Sequence, residues 1–191
     1  MMTSDDVSRE GTYGMLAELF SRPPRDEEVA ALFGEGSGLD TDELAADFTD
    51  LLMGLRSTSP APPYESFHRE GVLMGETTTQ VLEAYRTFGV GCTEGMEGEP
   101  ADHISLELDF MRHLCSLEAS AEDPEEATRL LEAQEGFLSV HLSRWVDGVR
   151  DGISAVDRTG FYTRVASFTS DWVASDLEHV RERLGSQGVV G

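Results

Sequence analysis

Lysine is missing altogether from this chain of 191 residues. All 14 basic residues are arginine, and against them stand 37 acidic residues, for a formal net charge of −23. Such a field repels nucleic-acid phosphates and anionic lipid, so it speaks against both as partners and favours basic ones. Salt adaptation, with a GC-rich genome favouring arginine, accounts for the same composition without any partner. Cysteine is nearly absent: Cys92 and Cys115 stand alone, with no CxxC spacing, so neither a disulfide framework nor a zinc site is suggested and reduced thiols fit. No apolar run approaches the roughly 18 residues needed to span a bilayer. The opening "MMTSDDVSRE" lacks the basic and apolar regions of a secretory signal. The expectation is a cytoplasmic protein with no stable membrane insertion. Period-two alternation is lacking too, which leaves an all-α fold. No internal repeat of about 20–50 residues is present to suggest a solenoid.

What is present is helical periodicity, enough for a compact bundle of about seven to nine helices sharing one core. Tyr13, Leu16 and Phe20 recur at helical spacing until Pro23-Pro24 ends the first helix. "RDEEVAALF" predicts a short second helix. Asp40 and Glu43 suit a capping box for a third, with Leu44, Phe48, Leu51 and Leu55 on one stripe. "RSTSPAPPYESFHREGVLMGE" has no sustained period and reads as a long loop, a frequent carrier of function. Thr77 and Gln80 form a second capping-box pattern, before a helix with Val81, Tyr85 and Phe88 facing inward. Asp123-Pro124 starts a helix expected to run unbroken through Leu130, Leu131, Phe137, Leu138, Leu142, Trp145 and Val149. A last helix is expected from about Asp157 to Leu184, with Phe161, Val165, Phe168, Trp172 and Val180 inward; residues 185–191 read as a loose tail.

The stretch "EPADHISLELDFMRHLC", from Glu99 to Cys115, is the most unusual. With Ile104 at zero on a helical wheel, apolar residues cover more than half the circumference, as in a central helix. Ser105, Asp109, Arg112 and Ser116 take the remaining polar face. His103 and Glu107 fall inside the apolar arc, four residues apart, where their side chains can meet. Glu99 is the expected cap, with Pro100 at the first position and Asp102 near the positive dipole end. Three readings stay open on the residues alone. The pair is a buried His–Glu contact behind a capped helix start, a polar handle at the mouth of an apolar groove, or a metal site. Metal has the least support, because the lone E-x-x-H, Glu65 to His68, falls short of the paired motifs of a di-iron bundle.

Phosphate-binding glycine loops, H-E-x-x-H and a G-x-S-x-G elbow are all missing, and the arginines are scattered. No constellation asks for an enzyme, and no catalytic residue or metal ligand is assigned. A helical metal- or nucleotide-dependent enzyme is the remote alternative.

Taken in order, "YGMLAELFSRPP", "PPYESFHREGVLMGETTTQVLEAYRTFGV", "EPADHISLELDFM", "FLSVHLSRW" and "FYTRVASF" resemble the TorD/DmsD/NarJ group of chaperones for molybdenum-containing oxidoreductases. The resemblance runs over nearly the whole chain. In the family's motif, proline directly precedes Asp-His, whereas here Ala101 intervenes after Pro100. It implies one TorD-like domain with an N-terminal helical part, 1–98, joined to a C-terminal part, 99–184, by a hinge at Glu99 and Pro100. It implies binding of the precursor of a molybdopterin-containing oxidoreductase through its twin-arginine signal peptide, with cofactor insertion before export. The implied peptide-binding residues are Tyr64, Glu65, Ser66, Asp102 and His103, to which the wheel adds Glu107. No cofactor is expected beyond weak GTP binding, and the chain is expected as a monomer or a domain-swapped homodimer. The alternative within the group is a NarJ-like chaperone of a membrane-anchored reductase that reads no export signal.

Overall fold

The computed structural model describes residues 4–53, 62–90 and 99–187, the side chains of 4–8 and 187 excepted. Among the described residues there are nine α-helices, one 3-10 turn and no named strand. The helices are α1 (Ser4–Ser21), α2 (Asp26–Phe33), α3 (Thr41–Leu51), α4 (Glu65–Glu70), α5 (Glu76–Thr87), α6 (Ile104–Ser120), α7 (Pro124–Val140), α8 (Val146–Ser154) and α9 (Phe161–Gln187).

Helix α6 is the central strut the wheel predicts. Ile104, Leu108, Met111 and Leu114 are wholly buried, α1 packs along one side and α7 along another. Helix α1 therefore shares its core with α6. Each such side chain taken fully from water contributes about 1.5–3 kcal/mol before chain entropy is subtracted. Ser105, assigned to the polar face, is buried instead, because it serves the helix start.

Several element boundaries differ from the pattern, each for a local reason. Asp40 caps α3 by accepting from the Asp42 N–H at 2.8 Å, and Leu44, Phe48 and Leu51 are buried; Leu55 lies outside the described residues. The expected long loop contains a helix, α4. Thr77 does not cap α5: Gly75 is the boundary residue, and Glu70 supplies the carboxylate that accepts from the N–H groups of Glu76 (2.9 Å) and Thr77 (2.7 Å). Asp123 caps α7 as its pattern predicts, through the Glu125 N–H at 3.1 Å.

The helix expected to continue to Val149 breaks instead at His141, whose backbone leaves the helical region at φ −110°, ψ −93°. A 3-10 turn, Leu142–Arg144, follows before α8. Neither proline nor glycine marks the break. Its freed carbonyls are satisfied by guanidinium groups, Ser139 O by Arg144 Nε at 2.9 Å and Val140 O by Arg69 Nη1 at 3.0 Å. Helix α9 begins at Phe161, where Asp157 accepts from the N–H groups of Gly160 and Thr163, and runs past Leu184 to Gln187. Phe161, Val165 and Val180 are buried, but Phe168 is about half exposed at 47%.

Candidate functional site

The sequence places Tyr64, Glu65 and Ser66 some 36 residues from Asp102 and His103, and the fold joins them. Backbone bonds form the seam: Glu65 N–H donates to Asp102 O at 3.0 Å and Ile104 N–H to Pro63 O at 2.9 Å, around an isolated antiparallel bridge between Tyr64 and His103. Asp102 then acts as a side-chain cap for a helix far away in sequence. Its Oδ2 accepts from the Ser66 N–H in the first turn of α4 at 2.8 Å, and its Oδ1 accepts from the Thr78 hydroxyl on α5 at 2.9 Å. One carboxylate thus ties α4 and α5 to the approach of α6. It serves the dipole of α4, not that of α6.

The cap of α6 is His103, not Glu99. The ring Nδ1 accepts from the Ser105 N–H at 3.2 Å, with the Ser105 hydroxyl at 2.7 Å, and the ring meets Tyr64 edge-on with centroids 5.2 Å apart. An accepting Nδ1 requires the neutral imidazole with its proton on Nε2. Burial pulls its pKa down from 6.5 to about 4, against the opposing field of Asp102. The unfolded chain takes up this proton near pH 6.5 and the folded chain only near 4, so His103 withdraws stability as pH falls through that window. An imidazole proton titration followed by NMR is expected to show one histidine with its midpoint near 4, and a midpoint near 6.5 for all five would contradict the cap.

Glu107 does not pair with His103. It is wholly buried one turn into α6, where Oε2 accepts from Trp145 Nε1 at 3.1 Å. Its other neighbour is Glu65, also wholly buried, whose Oε1 accepts from Arg69 at 2.5 Å and whose Oε2 faces His141 Nδ1 at 2.8 Å. The break after α7 is what brings His141 and Trp145 here. His68 stacks on Trp145 at 5.5 Å between centroids, and Gly148 permits it, since a Cβ there would lie 2.6 Å from the imidazole. His68 and Glu65 are therefore both engaged: His68 Nε2 lies 2.8 Å from Pro62 O. Among the described residues, no group of three or more His, Cys, Asp or Glu is arranged to hold a metal ion.

Five of the six expected peptide contacts, Glu65, Ser66, Asp102, His103 and Glu107, are thus interior groups. The sixth, Tyr64, is itself buried but sends its hydroxyl outward to donate to Glu99. Beside them lies an open cleft of about 580 Å³ between α5 and the first half of α6. Leu82, Ala101, Leu106 and Phe110 give it apolar walls, Met74 and Thr78 one edge, and Glu99, Asp109, Arg86, Arg112 and His113 its charges. Asp109 is engaged by Arg112 at 2.6 Å. The cleft and the buried cluster are distinct, joined through Thr78 and the 99–101 segment.

The model of the nitrate reductase delta subunit family matches residues 22–151, and those residues carry the seam, the cleft and the His141 break. The chain belongs to this TorD/NarJ-like family. It is 31% identical over 173 residues to the chaperone protein TorD of Photobacterium profundum, covering 85% of this chain and 79% of that one. The TorD of Vibrio cholerae is 30% identical over 142 residues, 74% of this chain and 64% of the relative, so the chain spans just under two thirds of that protein's length. A crystal structure from Archaeoglobus fulgidus, described as a redox enzyme maturation protein, shares the fold at a TM-score of 0.56 and 20% identity, over 87% of this chain.

The pattern missed Arg69, Thr78, His141 and Trp145, as well as the cleft walls on α5. The i, i+4 run Phe137–His141–Trp145 is the one local signal for part of it: a histidine inside an apolar stripe needs a buried partner. That partner, Glu65, is 76 residues away.

Proposed function

We propose that this chain is a maturation chaperone that holds the precursor of a molybdopterin-containing oxidoreductase in the cytoplasm until its cofactor is inserted. The client's twin-arginine signal lies in the α5–α6 cleft. The observation that carries this reading is the cleft itself, an open trough with apolar walls and a rim of mixed charge in which Glu99 and Asp109 stand beside Arg86, Arg112 and His113, next to the segments that bear the family's motifs. A twin-arginine signal is a basic stretch followed by an apolar one. Glu99 offers an arginine fork a charge-assisted hydrogen bond, and Leu82, Leu106 and Phe110 take the apolar part. The interior residues Asp102, His103 and Glu65 then act by shaping the wall of the cleft.

Calorimetric titration of the full chain with the signal peptide of the neighbouring reductase tests this. Glu99→Gln is expected to weaken binding about tenfold at low salt, and Leu82→Asp to abolish it; neither should move the melting temperature by more than about 3 °C. No binding of the precursor, with or without its signal, would end the proposal. The nitrate reductase delta subunit match favours a second reading, service to a membrane-anchored reductase. That reading expects binding to the mature subunit and indifference to replacing the twin arginines.

A further inference from the structure

Helices α4, α6 and the α7–α8 break meet at two carboxyl groups in the interior. Glu65 and Glu107 are both wholly buried, and each has one well-defined side: Glu65 toward Arg69 and His141, Glu107 toward Trp145. Among the described residues, Glu107 Oε1 has no donor to accept from. The Glu65 carboxyl group is the neighbouring side chain, within hydrogen-bonding reach of Glu107 once one of the two carries a proton. We propose that Glu65 and Glu107 share one proton, and that this proton latches α4 onto α6 and the α7–α8 break.

The charged and titratable groups around the pair come from each element packed against it. On α4 stand Glu65, Arg69 and neutral His68; ahead of α6 stand Asp102 and neutral His103; Tyr85 approaches from α5; His141 and Trp145 close the far side. Among the described residues, the guanidinium at the pair is that of Arg69, a third exposed and bound to Glu65, and Glu107 forms no ion pair. Burial first, and the field of Glu65 next, hold the Glu107 carboxyl well above its ordinary range, while the Trp145 N–H opposes them. With its proton, Glu107 donates to Glu65 and still accepts from Trp145, and the orphaned oxygen is satisfied. Without it, two like charges face each other in the interior, and the cheapest escape is for the short helix α4 to swing out. Because α4 is hydrogen-bonded to the segment that forms the cleft wall, losing the proton opens the fold from beneath the cleft.

The unfolded chain ionises Glu107 near the ordinary carboxylate value and the folded chain only at much higher pH. Its contribution is therefore complete below about pH 4.3 and is lost as pH rises toward the folded value. Glu107→Gln reproduces the protonated form: its amide donates to Glu65 and its carbonyl oxygen accepts from Trp145. Thermal melting of the full chain from pH 5 to 9 is expected to show the variant gaining on the wild type by about 3–5 °C per pH unit until the proton is lost. The infrared spectrum of the wild type at pH 7 is expected to carry a protonated-carboxyl band that Glu107→Gln removes. Hydrogen exchange at the α4 amides, corrected for its intrinsic pH dependence, should rise at least tenfold on deprotonation in the wild type alone. A wild type without that band at pH 7 overturns the proposal even if the variant fails to fold. Parallel melting curves overturn it as well.

Discussion

Replacing Arg9 by alanine is expected to lower the melting temperature by about 10 °C, because it strips a buried ion-pair network of its cation. Arg9 lies in α1 with only 4% of its surface accessible, and its guanidinium joins four helices. Nε and Nη2 grip both oxygens of Asp176 on α9 at 2.6 and 3.0 Å, Nη2 also donates to Gln134 on α7 at 2.5 Å, and Nη1 reaches Glu118 on α6 at 3.3 Å. Tyr13 adds a hydrogen bond to Asp176 at 2.7 Å, and Arg183 one to Glu118. Removing the guanidinium leaves Asp176 buried with one neutral donor where it had a fork, and a carboxylate stranded this way costs about 3–5 kcal/mol. Arg9→Lys should lie between, since an ammonium cannot span Asp176 and Gln134 together. Added salt should not rescue either variant, because screening acts weakly on a pair this deep. Thermal or urea unfolding at two salt concentrations measures this, and a loss under about 2 °C would show that the network is not carrying the α1 contact.

The second large effect belongs to Asp102. Asp102→Ala strips the acceptor from the Ser66 N–H and the Thr78 hydroxyl, and the former is buried in the first turn of α4. Unsatisfied buried donors cost about 1–3 kcal/mol each, so the variant is expected to lose about 3 kcal/mol and 6–12 °C. Asp102→Asn should lose only about 1 kcal/mol. Its oxygen can serve the fixed N–H, while the Thr78 hydroxyl rotates to accept from the new amide. Denaturant titration of both variants, beside peptide titration, separates the roles of the motif. Affinity for a client should fall in Asp102→Ala only as far as α4 loosens, whereas Glu99→Gln weakens binding on an intact fold. An Asp102→Asn variant as unstable as the alanine would mean that the charge itself, rather than the two hydrogen bonds, holds the seam.

These two residues also show how unevenly the sequence displays its structure. The wheel of α6 is correct in burying Ile104, Leu108, Met111 and Leu114, and it correctly sets His103 and Glu107 apart from solvent. It errs in joining those two to each other. One turn along a helix brings side chains within reach, but the choice of partner depends on what other helices supply. Here Ser105 and Tyr64 take the imidazole, and Trp145 and Glu65 take the carboxyl group. Arg9 carries no signal at all, since an arginine in an acidic first helix looks like a solvated one.

By itself, the sequence determined the helical class, the central rank of α6, most of the inward faces, the caps at Asp40 and Asp123, and the order of segments by which the family is recognised. These depend on local spacing: a period of 3.6 residues, a short polar side chain before a helix, a proline where no N–H is needed. Tertiary structure alone decided that Asp102 caps α4, that the chain breaks at His141, that Arg9 ties α1 to the bundle, and that two buried glutamates face each other beside an open cleft. Each of those joins groups tens of residues apart, and a buried charge or hydrogen-bonding group takes its partner from whatever the packing brings within about 3 Å, which no periodicity along one helix encodes.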